Sequence, residues 1–92
     1  MKYSEFKAPK GVIKVELSLL GDKISEIRLS GDFFIYPEEA LEKLEKSLLG
    51  AKVDFDSLMA AVKNFYQTTG ATTPLITPEH WVEAILKAAR GR

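Results

Sequence analysis

From Ile13 to Phe33 apolar and polar residues alternate one by one, and from Pro37 onward the apolar residues return every third or fourth position. A period of two is that of a strand with one buried face, and a period of about 3.6 is that of a helix with one buried stripe, so the chain must build strands first and helices afterwards. Ile13, Val15, Leu17 and Leu19 fall on one face of the first clear strand, with Lys14, Glu16 and Ser18 on the other. Gly21-Asp22 follows, and Gly at the first central position of a two-residue loop supplies the positive φ of a type II′ hairpin turn. The return strand puts Ile27, Leu29, Gly31 and Phe33 on one side; Ile24 breaks that parity, which predicts a bulge or an edge near the turn. Tyr3 to Ala8 reads as a shorter strand, with Pro9-Lys10-Gly11 reversing the chain. The expected sheet is a three-stranded antiparallel meander.

The helical part opens at Pro37, taken as the first helical position because its missing N–H is harmless there, with Glu38 and Glu39 favoured by the positive end of the helix dipole. Leu41, Leu44 and Leu48 form the apolar stripe, Glu39–Lys43 and Glu42–Lys46 are potential ion pairs one turn apart, and Gly50 sits where a left-handed cap belongs. A second helix is predicted from the N-cap Asp54 to about Tyr66, with Phe55, Leu58, Met59, Val62 and Phe65 or Tyr66 inward. Gln67 to Ile76 is a Thr-rich connection. A third helix starts at Thr77-Pro78-Glu79, turns Trp81, Val82, Ile85, Leu86 and Ala89 inward, and ends near Lys87, Arg90 and Arg92. With no repeat or linker visible, residues 1–92 are expected to form a single α+β domain: a small three-stranded antiparallel sheet with about three helices packed on one face.

Composition excludes more than it selects. Lys plus Arg and Asp plus Glu each total 13, so no net field draws the chain to nucleic acid or anionic lipid. There is no Cys and one His, which removes thiolate chemistry and leaves no basis for a zinc site. The N-terminal segment lacks an apolar core of signal-peptide length, no apolar run approaches the ~20 residues of a membrane span, and the expected location is cytoplasmic. His80 falls near the third position of the last helix, where a local hydrogen bond explains it; no Ser lies in a Gly-x-Ser-x-Gly elbow, and no Gly-rich phosphate loop is present. Thr68 to Thr73 suits capping and linkage better than anion binding. An independent catalytic activity is not expected.

Two features are left for binding. The sheet face carrying Lys14, Glu16, Ser18, Glu26, Arg28 and Ser30 is polar enough for water or for the rim of a partner interface. Phe33 and Phe34 must point to opposite faces, so if Phe33 joins the core, Phe34 either emerges as an interface anchor or is covered by the first helix. For Asp32 the local explanation is a turn or helix-entry cap, and for Gly31 a close approach or a positive φ.

The Gly31-Asp32-Phe33-Phe34 junction between strand and helix, Lys7-x-Pro9-x-Gly11 leading into Val12-Ile13-Lys14-Val15, the Leu48-Leu49-Gly50 helix end and the Thr77-Pro78-Glu79 helix start together resemble the small C-terminal, accessory domain of lipoate-protein ligases, from about Phe6 to Leu86. In some organisms, notably archaea, that domain is a separate chain, and this sequence looks like such an accessory subunit. The resemblance implies a heterodimer with a catalytic large subunit that activates lipoate with ATP to lipoyl-adenylate and modifies lysines of lipoyl-domain acceptor proteins. ATP, Mg and lipoate would be bound through the large subunit, and no individual catalytic residue of the family carries over to this chain. The residues expected at the partner interface are Lys7, Lys10, Arg28, Gly31, Asp32 and Phe34; Lys7 and Lys10 bracket Pro9, where they are either solvated surface charges or would meet a phosphate or carboxylate at the joint. Competing readings are a free-standing interaction adaptor on the same sheet face and a small regulatory domain that binds a ligand at the Thr-rich loop.

Overall fold

β1 (Lys2–Ala8), β2 (Gly11–Leu20) and β3 (Lys23–Asp32) make an antiparallel sheet in the order β1-β2-β3. The computed structural model describes residues 2–9 and 11–90. Val15 lies opposite both Ser4 and Leu29, and Leu17 opposite Lys2 and Ile27, so the alternating apolar set of β2 occupies the middle of one face. Ile13, Val15 and Leu17 are fully buried there. Leu20 pairs with Lys23 across the two-residue turn, in which Gly21 has φ 66° and Asp22 does not share the positive sign, the pattern of a type II′ hairpin. The register slips between Ser18 and Leu19, leaving Ser25 as the extra residue with its hydroxyl donating to the Ser18 carbonyl at 3.1 Å. That bulge turns Ile24 inward and accounts for its broken parity.

Three helices, α1 (Ala40–Leu48), α2 (Phe55–Thr69) and α3 (Pro78–Arg90), cover this one face. α3 lies across β1 and β2, where the buried Ser4 hydroxyl donates to the Ala84 carbonyl at 2.9 Å. α2 packs on α3 and α1, and α1 runs beside β3, whose Leu29 N–H is taken by the Glu45 carboxylate at 2.7 Å. That bond, with Ile24 N–H to the Ala51 carbonyl at 3.0 Å and Gly50 N–H to the Ile24 carbonyl at 2.8 Å, closes part of an otherwise open sheet edge. Trp81, Phe65, Leu44, Leu48, Leu58, Val62 and Ile85 fill the space between the layers.

Helix boundaries differ from expectation where tertiary pairing intervenes. α1 starts at Ala40, not Pro37. Tyr36 exchanges both backbone hydrogen bonds with Thr72 at 2.9 Å, which holds the chain extended, and Pro37, preceded by a cis peptide bond, enters a turn whose carbonyl accepts from Ala40 N–H at 3.0 Å. Gly50 is left-handed at φ 81°, yet α1 is closed by an extended Leu49, and Gly50 serves the strand pairing instead. Neither predicted i,i+4 pair of α1 forms; the ion pair among the described residues is Lys52–Asp22 at 3.8 Å. Exposed pairs of this kind contribute little against their side-chain entropy.

α2 is capped as predicted, with Asp54 Oδ1 accepting the Ser57 N–H at 2.7 Å, and this amide bond holds the Asp54 carboxyl below its ordinary pKa. It runs to Thr69 rather than Tyr66, because Thr68 and Thr69 donate back to the Asn64 and Phe65 carbonyls at 2.9 and 2.7 Å before Gly70, at φ 67°, ends the helix. Phe55 is 47% exposed instead of inward, lying at the first position, ahead of the stripe that begins at Leu58. In α3, His80 Nδ1 accepts the Thr77 N–H at 3.0 Å while His80 N–H reaches the Thr77 Oγ1 at 3.4 Å, a capping box with imidazole in the place of a carboxylate. α3 is clasped between sheet and α2, so Ala84 and Ala88 are buried where Ala89 was expected; Arg92 lies outside the described residues. Among the described residues no helix is long and apolar enough to cross a membrane.

Candidate functional site

The helix-free face of the sheet carries the polar half of each strand. Glu16 lies between Tyr3 and Arg28, Lys14 between Glu5 and Ser30, and Ser18 opposite Glu26. Cations and carboxylates alternate along these rows, as suits a wetted surface. The Tyr3 hydroxyl donates to the Glu5 carboxylate at 2.7 Å, and this bond raises the tyrosine pKa above its ordinary value.

At the end of the sheet where β3 leaves for α1, backbones crowd together. A Cβ on Gly31, which stands at φ 136°, would overlap the Val12 carbonyl oxygen, and a Cβ on Gly11 would overlap the Asp32 carbonyl oxygen. Only glycine admits this approach, and in consequence Lys7, Val12 and Asp32 form one cross-strand row beside the exit of β3. Gly31 therefore has both the positive φ and the close approach foreseen for it.

Beyond Asp32 the alternation continues without strand pairing. Phe33 turns inward and meets the Trp81 ring edge-on at 5.1 Å and 86°. Ile35 is buried, while Phe34 and Tyr36 emerge at 65% and 51% exposure with their rings parallel within 6° and 6.3 Å apart. α1 does not fold over Phe34, so its ring is not part of the core. Tyr36 was absent from the residues picked out in the sequence, although its signal was there: it stands two positions after Phe34, on the same parity. Beside the stacked rings runs a groove of about 450 Å³ lined by Ser30, Gly31, Phe34, Tyr36, Glu38 and Leu41.

Of the residues expected at an interface, Lys7, Gly31, Asp32 and Phe34 therefore gather at one end of the sheet. Arg28 does not: it stands opposite Glu16, four residues back along β3 on the open face. Lys10 lies outside the described residues.

The aromatic end is braced from behind. Trp81 Nε1–H donates to the Tyr66 hydroxyl at 2.7 Å, that hydroxyl lies 2.7 Å from Thr73 Oγ1, and Thr73 Oγ1 donates to the Ile76 carbonyl at 2.9 Å. Since the Thr73 proton goes to Ile76, Tyr66 is the donor in the middle bond, and every member of the chain is satisfied. The same loop holds Tyr36 through Thr72. The hydroxyls of Thr68, Thr69 and Thr73 thus donate to the protein's own carbonyls, the capping and linking role expected of this segment. A second groove, about 530 Å³, follows the outer side of α3 between Phe6 and Phe55, but its Lys87 ammonium is already bound to the Glu5 carbonyl at 2.7 Å. Among the described residues no three His, Asp or Glu side chains come together as metal ligands.

A family model for the bacterial lipoate protein ligase C-terminus matches residues 2–85. The chain is 38% identical over 86 residues to lipoate-protein ligase A subunit 2 of Thermoplasma acidophilum, a match that covers 92% of this chain and 88% of that relative. One chain of a solved archaeal lipoylation system from Thermoplasma acidophilum, a bi-partite lipoate protein ligase with its E2 lipoyl domain, has a TM-score of 0.83 and 36% identity over 92% of this chain and 94% of its own length.

Proposed function

The chain belongs to the lipoate protein ligase C-terminal family, and on that premise we propose that it is the accessory subunit of a two-chain lipoate-protein ligase. The observation that carries this reading is the near-complete overlap in both directions: the archaeal relative, itself a ligase subunit, is a chain of the same extent and not a segment of a larger enzyme. The accessory chain works with a catalytic large subunit in the ATP-dependent conversion of lipoate to lipoyl-adenylate and the transfer of the lipoyl group to lysines of lipoyl-domain proteins. ATP, Mg²⁺ and lipoate belong to the large subunit, and the reaction takes place in the cytoplasm.

What this chain contributes is surface. Docked by Phe34 and Tyr36, it would close over the large subunit and exclude water from an acyl-adenylate that hydrolysis would otherwise destroy. Lys7 and Asp32 stand in the adjoining row at the same end of the sheet and form the polar rim of this interface; Gly31 serves it by letting the two backbones close up. Calorimetric titration of the chain against its catalytic subunit is expected to give a one-to-one complex with Kd of about 1 μM or tighter. Absence of a complex at concentrations well above that value rejects the assignment.

A further inference from the structure

Glu38 stands two residues ahead of α1, where its carbonyl accepts the Leu41 N–H at 3.3 Å, but its carboxylate makes no capping bond. The helix begins at Ala40, its N-cap is Glu39 without a side-chain capping bond, and Glu38 makes no side-chain hydrogen bond or ion pair among the described residues. Glu38 is exposed and lines the groove beside the Phe34–Tyr36 stack, a groove whose other members are the apolar Leu41 and Ile35, the inner ring Phe33, and Ser30 and Gly31 of β3. Among the described residues no cationic side chain lines it. An unpaired carboxylate next to two parallel, half-solvated aromatic rings is a specific chemical arrangement: it offers a negative charge at one point and the negative faces of two π systems beside it.

From this we infer that the groove receives an arginine side chain of the catalytic subunit, with its guanidinium laid on the Phe34–Tyr36 rings and paired with the Glu38 carboxylate. The inference rests on the docking reading given above and adds the chemistry of the partner's side. Arginine fits better than lysine because its planar, weakly hydrated head both stacks on an aromatic face and meets a carboxylate with two parallel N–H donors, while an ammonium is a strongly hydrated point charge. The arginine stem, lying along Leu41, would complete the apolar part of the contact.

The test uses the full chain and its catalytic subunit, with Kd measured at low and at high salt for Glu38→Gln, Phe34→Leu and Phe34→Ala. Glu38 and Phe34 are both exposed, so all three variants should melt with the wild type. Glu38→Gln is expected to raise Kd about five- to tenfold at low salt, with the difference shrinking at high salt. Phe34→Leu, which keeps apolar area but removes the π face, should raise Kd by a similar factor, and Phe34→Ala by more. Wild-type affinity of Glu38→Gln at low salt overturns the inference. Should Phe34→Ala weaken binding while Glu38→Gln and Phe34→Leu do not, the anchor is purely apolar and the arginine is absent, though the docking reading stands. If the wild-type chain fails to bind the catalytic subunit at all, the docking reading falls and takes this inference with it.

Discussion

Replacing Trp81 with alanine should cost the fold about 3–5 kcal/mol, the range for emptying a buried aromatic site, out of a total stability for a small domain of roughly 5–10 kcal/mol. The indole is completely buried, touches Phe33 edge-on at 5.1 Å and donates to the Tyr66 hydroxyl at 2.7 Å. Its loss opens a void between α3 and the sheet and also leaves the Tyr66–Thr73 chain without its first donor. Trp81→Phe separates the two effects: it keeps most of the packing and drops only the N–H, so it should cost about 1–2 kcal/mol. Urea denaturation of the free chain reads both. Phe33→Ala should fall below Trp81→Ala, because Phe33 is only half-buried. A Trp81→Ala chain whose midpoint lies near that of wild type would mean that α3 does not form the centre of the core.

The second large effect is on association and should leave the fold alone. Phe34 and Tyr36 are 65% and 51% exposed, and neither ring belongs to the core, so the double alanine variant should melt close to the wild type. Its affinity for the catalytic subunit should nevertheless drop by at least about 2 kcal/mol, roughly thirtyfold, as expected when the central anchors of an interface are truncated. Tyr36 enters this prediction through its side chain only; its backbone pair with Thr72 survives substitution by alanine. Loss of melting temperature with unchanged binding per folded molecule would place the interface elsewhere, most directly on the Lys14, Glu16 and Arg28 face of the sheet.

Much of the architecture could be read in the residues, and the reasons it could are local. The alternation of Ile13, Val15 and Leu17 specifies which face of β2 is buried, and Gly21-Asp22 specifies the hairpin, because both depend on neighbours in sequence. Asp54 and Thr77 were legible as helix starts for the same reason, and the parity break at Ile24 announced the bulge at Ser25. What escaped depends on residues far apart in the chain. Pro37 looked like a helical first position until Tyr36 was tied to Thr72, and Gly50 looked like a helix cap until its amide was claimed by Ile24. The candidate site divides in the same way. The exposure of Phe34 followed from strand parity, whereas the place of Glu38 in the groove beside it did not, because a carboxylate two residues ahead of a helix already has an adequate local explanation in the helix dipole. Arg28 was expected at the same interface as Phe34, and four residues of strand separate them along the sheet.

The central claim, that this chain completes a ligase whose chemistry resides on another polypeptide, is tested most directly by pyrophosphate release from ATP in the presence of lipoate. The account predicts no release by this chain alone, little by the catalytic subunit alone, and a rate that rises with added chain until it saturates at one equivalent. Full activity of the catalytic subunit by itself, unchanged when this chain is added, would contradict it.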